Sequence, residues 1–168
     1  MTKKEETVDY EVFVNQIIQS FAKEMEKDFE LVCIGNGGKM PHDVEEISVK
    51  FIAYRRATIE QARELEVNAT ETFLRMINAH EKIRPFLREY PFKVNRAEVS
   101  IAFRKNDNSA YDDSSVVHVF QVKNRIFYYA EEPNSGTRRI LLEESYEEAV
   151  KIVKENPPKK DSPVQHPV

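Results

Sequence analysis

The 168 residues predict an α+β fold: a mostly antiparallel sheet of five or six strands packed against a long central helix, with N- and C-terminal helices. Three observations carry that reading. Residues 58–84 place apolar side chains at three- and four-residue steps, the period of an amphipathic helix. Residues 46–55 and 97–104 alternate apolar with polar, the period of a strand with one covered face. Lys123-Asn124 separates two strand-like runs, and asparagine tolerates the left-handed geometry of a tight hairpin turn.

The first helix is expected from Val8 to about Phe29. Val14, Ile17, Ile18, Phe21, Met25 and Phe29 form its apolar side, and Thr7 or Asp9 is placed to cap it. Leu31 to Ile34 then reads as a short strand running into Gly35-Asn-Gly-Gly38. Exposed amides in such a glycine cluster can cradle phosphate, but no Gly-Lys-Ser/Thr follows and Pro41-His42 stand where a helix should open. A turn is therefore the expectation. The next strand, residues 46–55, sets Ile47, Val49, Phe51 and Ala53 on one face.

Thr58 and Gln61 have the spacing of a capping box, and Ile59, Ala62, Leu65, Ala69, Phe73, Met76, Ile77 and Ile83 mark the buried stripe that follows. Pro85 allows the helix to reach at most Arg84. Beyond it, Phe86, Leu87, Tyr90 and Phe92 read as a cap folded over one end of the core. A sharper alternative makes them a docking patch, with Arg84 and Arg88 reading an acidic partner beside exposed rings.

The run Ile83-Arg-Pro-Phe-Leu-Arg-Glu-Tyr-Pro-Phe92, following Ala62-Arg63-Glu64-Leu65 and Ile77-Asn78, resembles a pattern in small uncharacterised bacterial proteins. The likeness covers the middle third of the chain. It implies a bacterial source, and it brings no activity and no catalytic residues.

After residues 97–104 comes an Asn-, Asp- and Ser-rich loop, 105–115. Residues 116–122 and 125–131 then form the hairpin. The bulky run Ile126 to Tyr129 suggests a central strand covered on both faces. Pro133 to Gly136 is a turn, and Arg138 to Leu142 a final strand. Ser145 to Glu148 opens a last helix as a second capping box, and Pro157-Pro158 stops it. Residues 1–156 are expected as a single domain and 157–168, polar and proline-rich, as a disordered tail. Alternation leaves the second sheet face partly wet, with Tyr54, Ser100, His118 and Gln121 expected on it.

A formal net charge of −4 argues against nucleic acid as a partner, because non-specific binding needs a basic footprint. No apolar run approaches the ~20 residues of a membrane-spanning helix. The charged start lacks the apolar core of a signal peptide, so the cytoplasm is expected for a chain complete as given, and export if a leader has been removed. Cys33 is the sole cysteine, and within Leu31-Val-Cys-Ile34 it reads as an inert thiol. The four histidines lack metal-ligand spacing, and neither a metal nor a cofactor is expected. The pairs Arg55-Arg56 and Arg138-Arg139 read as ordinary salt-bridging cations, and Asn68-Ala-Thr70 as a chance glycosylation match inside a helix.

With no catalytic residue legible, the expectation is a non-enzymatic binding or protein-interaction module whose partner is another protein or a second copy. The alternative is a small-ligand-binding protein or enzyme with a pocket between the long helix and the sheet. The binding residues expected are Arg84, Phe86, Arg88, Tyr90, Phe92 and His118.

Overall fold

A computed structural model of the chain describes residues 2–111 and 113–156, with side chains from Tyr10 onward. The tail expected over 157–168 lies outside the described residues. Helix α1 (Thr2–Phe29) leads into strands β1 (Val32–Lys39) and β2 (Glu46–Ala53), then helix α2 (Ile59–Ala79). Single 3-10 turns at Arg84–Phe86 and Val94–Arg96 precede β3 (Ala97–Phe103), β4 (His118–Val122), β5 (Arg125–Glu131), β6 (Arg138–Ser145) and helix α3 (Tyr146–Glu155). The six strands lie side by side in chain order. Neighbours are antiparallel except β2 and β3, which run parallel because α2 carries the chain back between them. The fold is α+β with a mostly antiparallel sheet, as its strand alternation predicts.

Side-chain parity decides where the core sits. Ile47, Val49, Phe51 and Ala53 of β2, Ala97, Val99, Ile101 and Phe103 of β3, and Ile126 and Tyr128 of β5 are buried on one sheet face. All three helices lie against that face: Phe21 of α1 meets Phe51 edge-on at 5.5 Å and stacks on Phe73 of α2 at 4.5 Å. Arg63 of α2 reaches Glu144 of β6 at 2.9 Å. The opposite face carries no helix among the described residues.

Several local expectations shift. Helix α1 begins at Thr2, so Thr7 and Asp9 fall inside it rather than at its cap. It ends where Glu30 turns left-handed (φ 56°) and Leu31 N–H returns to Met25 O at 3.3 Å. The glycine cluster is strand rather than turn: Gly35, Gly37 and Gly38 belong to β1, and the chain reverses after Lys39. Gly38 is required by proximity, since a Cβ there would stand 2.4 Å from Glu46 O.

Helix α2 opens with both bonds of the expected capping box between Thr58 and Gln61. It stops at Ala79, short of Arg84, and at 21 residues it is not the longest helix. His80 is extended (ψ 104°), and its Nδ1 accepts the Ile83 N–H at 3.2 Å, so the chain turns before proline forces it to. In α3, Ser145 Oγ accepts from Glu148 N–H at 3.1 Å; the reciprocal bond of a capping box is not made among the described residues.

Candidate functional site

The uncovered sheet face is built by the β4–β5 hairpin and the β2–β3 pair. Lys123 and Asn124 both take positive φ (50° and 71°), the tight turn their types favour. That turn sets Phe120 opposite Phe127 and His118 opposite Tyr129. The rings pack together: Phe120 stacks on Phe127 at 5.3 Å and on Tyr129 at 5.7 Å, and His118 tilts against Phe120 at 5.0 Å. The bulky β5 run is therefore split between faces. Ile126 and Tyr128 lie under the helices, while Phe127 and Tyr129 each stack on Phe120 on the open side. Gln121 has the parity of Val119 and faces inward, donating to Val94 O (3.1 Å) and Ala97 O (2.9 Å), which corrects its expected place on the open face.

His118 joins three strands. Its Nδ1 lies 2.9 Å from Arg138 Nη1 on β6 and its Nε2 lies 2.9 Å from Ser100 Oγ on β3. A guanidinium can only donate, so Nδ1 accepts, Nε2 carries the proton, and Ser100 Oγ receives it. The serine proton therefore has no imidazole lone pair to move to. Burial, then the charges of Arg138, Arg104 and Lys50, pushes the His118 pKa down to about 4. A nucleophile–base pair needs the opposite polarity, with a carboxylate orienting the histidine and a lone pair facing the hydroxyl. In this arrangement His118 does not accept the Ser100 proton.

Between β2, β3 and β4 the face dips into a hollow of about 200 Å³ lined by Ser48, Lys50, Glu98, Ser100, His118 and Phe120. Parallel register sets Lys50 beside Ser100 and Ser48 beside Glu98, so the hollow has a basic end and an acidic end. At the acidic end, Lys123 at 2.6 Å and Lys39 at 3.6 Å hold the Glu46 carboxylate below its usual range, the Lys123 hydrogen bond dominating. At the basic end the cations lack partners. Among the described residues Lys50 makes no hydrogen bond or ion pair, Arg104 donates only to backbone carbonyls, and Arg138 donates only to His118. Of the two arginine pairs expected to salt-bridge, one member of each does, Arg56 to Asp113 and Arg139 to Glu132 at 2.6 Å, while among the described residues Arg55 and Arg138 make no ion pair.

The expected binding residues fall in two places. His118 is on the open face. The other five lie around the Arg84–Phe86 turn and its exit. Phe92 is 2% exposed and bracketed by Asn78, whose Oδ1 accepts its N–H (2.7 Å) and whose Nδ2 donates to its carbonyl (3.1 Å). Phe86 packs on Tyr10 at 5.6 Å. Arg88 pairs with Asp43 at 2.8 Å and Glu45 at 3.0 Å, and Arg84 lies over the ring of Tyr90, which is 50% exposed. Lys50, Arg104, Phe120, Phe127 and Tyr129 escaped sequence reasoning. Counting outward from the Lys123-Asn124 turn would have paired the three rings with their neighbours.

Beneath the sheet's other face lies a second polar group. Arg63 clasps Glu144 through two bonds (2.9 and 3.1 Å), and Tyr128 donates to the same carboxylate. Glu66 is fully buried with Thr70 as its side-chain partner at 3.5 Å, and desolvation pushes its carboxyl well above the usual range. Among the described residues Glu66 Oε1, Gln121 Oε1 and the Tyr146 hydroxyl are buried without a hydrogen-bond partner. Among the described residues no group of three or more His, Cys, Asp or Glu is arranged to hold a metal ion, and no helix is long and apolar enough to cross a membrane. No family model, curated protein or solved structure matches this chain.

Proposed function

We propose that this chain is a non-enzymatic protein-binding module, of bacterial source, whose open sheet face receives an acidic segment of another protein. One observation carries the reading. All three helices gather on one side, and the bare side holds stacked rings next to three cations that lack a carboxylate partner among the described residues, in a chain whose net charge is −4. Aromatic and arginine side chains are the groups that most often anchor protein interfaces. Cations without internal partners steer and orient an acidic partner. Where α2 meets the sheet, the place of the alternative's pocket, Phe21, Phe51, Phe73 and Ile101 are buried, and a hollow of about 530 Å³ lies instead between α1 and β1. The Arg84–Phe92 segment fits the role less well, since Phe92 is core and Arg88 is already neutralised by Asp43 and Glu45.

Selection of random peptides displayed against the folded chain tests this. Acidic sequences bearing an aromatic residue are expected, with binding weakened at least tenfold by Lys50→Glu and by Phe127→Ser. Enrichment of basic sequences, peptides indifferent to both substitutions, or capture of a second copy of the chain instead would overturn the proposal.

A further inference from the structure

The direction of the protons at His118 has a consequence for ligand class. Ser100 Oγ accepts from His118 Nε2–H, so the serine's own O–H remains to be donated, and among the described residues it has no acceptor. Lys50, its register neighbour on β2, is exposed and unpaired. Ser48 adds a second hydroxyl to the same hollow. Lys50 and Ser100 thus present donors side by side at the basic end of the hollow that Phe120 also lines, with no acceptor bonded to them among the described residues. An oxyanion is the group that satisfies them.

Two oxyanions are chemically open, carboxylate and phosphate, and the rim distinguishes them. Glu98 lines the same hollow, its carboxyl pushed up by burial and by neighbouring Glu46, with Lys123 and Lys39 partly offsetting that push. A second negative charge entering there meets a carboxylate across a small space, which disfavours a phosphate dianion relative to a singly charged group.

We propose that Lys50 and Ser100, with Ser48 beside them, form a carboxylate seat, and that the acidic partner segment places a carboxylate there while an adjoining aromatic ring lies on Phe120, Phe127 and Tyr129. The inference rests on the open-face reading above and names the group that the face recognises. His118 is the positioning residue. Clamped by Arg138, it keeps its own proton on Nε2 and turns the Ser100 hydroxyl outward. The groups facing it are Lys50 from β2, Ser100 and Arg104 from β3 and its end, Tyr129 from β5, and Arg138 from β6, with Glu131 in register with Arg138.

Three probes separate the two levels of the claim when titrated into the full chain and followed by amide and imidazole chemical shifts. They are N-acetyl-phenylalanine, N-acetyl-phenylalaninamide, which differs only in lacking the carboxylate, and inorganic phosphate. The acid is expected to bind about tenfold more tightly than the amide, as a charge-assisted hydrogen bond allows. Its binding is expected to raise the His118 pKa from about 4, because a seated anion offsets the surrounding cations. Lys50→Met and Ser100→Ala are expected to erase the difference between acid and amide while leaving amide binding in place. Lys50 is exposed, so its variant tests the seat without disturbing the fold. Equal binding of acid and amide sinks the seat and leaves the ring platform standing. Failure of both to move Phe120, Phe127 and Tyr129 sinks the open-face reading as well. Phosphate binding more tightly than the acid overturns the carboxylate assignment.

Discussion

His118 and Glu66 pull the pH dependence of stability in opposite directions. The folded His118 refuses a proton until about pH 4, whereas an unfolded histidine accepts one near 6.5. Between those values the unfolded chain binds more protons, so the contribution of His118 is present above pH 6.5 and is lost as pH falls toward 4. Urea midpoints at pH 7 and pH 5 measure it, and a His118→Gln variant is expected to show a flatter profile. Glu66 has the reverse sign. Its folded pKa lies well above the usual value, so the unfolded state releases its proton first and stability is lost as pH rises above 4.5. Glu66→Gln is expected to stabilise the chain at pH 8 by about 1 kcal/mol or more, because a neutral amide does not face the cost of ionising in the core. An unchanged or lower urea midpoint for that variant at pH 8 contradicts the assignment. His118 was legible as an open-face residue, without the cations that depress its pKa, whereas Glu66 was not legible. Glu66 lies on a helix face among Arg63, Glu64 and Glu71, and only the docking of α2 shows that it is the carboxylate turned inward.

At the scale of elements, apolar period was informative and end points were not. Strand parity in β2 and β3 followed from alternation alone, because one buried face punishes any slip by exposing every apolar side chain. Helix α2 was overextended because nothing before Pro85 looks like a stop. The stop is made by the His80 ring taking the Ile83 amide and by Asn78 bracketing Phe92 fourteen residues away. The β1 glycines misled for a different reason: glycine allows a turn, but Gly38 is there because β2 backbone leaves no room for a side chain. Two substitutions test the packing of α2. Thr58→Ala removes its cap and is expected to cost about 1 kcal/mol by denaturant unfolding. Phe73→Ala empties the centre of the α1–α2–sheet contact, where Phe73 is fully buried against Phe21, and is expected to cost about 3–5 kcal/mol.

For the whole molecule, one-sided layering is the feature that bears on function. A sheet with helices on one face must either keep its other face polar or offer it to a partner. Here that face is not uniformly polar: Phe120 stacks on Phe127 and Tyr129, Ile140 at its edge is 51% exposed, and among the described residues Lys50, Arg104 and Arg138 have no carboxylate partner. The rings were partly foreseeable from the hairpin turn. The cations were not, because Lys50 on β2, Arg104 just past β3 and Arg138 on β6 lie far apart in the chain and are brought to one face only by the β2–α2–β3 crossover and the meander that follows. The most direct test is to map where an acidic aromatic peptide lands, by amide chemical shifts of the full chain titrated with a short Glu- and Phe-containing peptide. The account predicts shifts gathered at Lys50, Ser100, His118, Phe120, Phe127 and Tyr129, with the helix layer unmoved. Shifts gathered instead at Arg84, Arg88 and Tyr90, or none on the sheet, would contradict it.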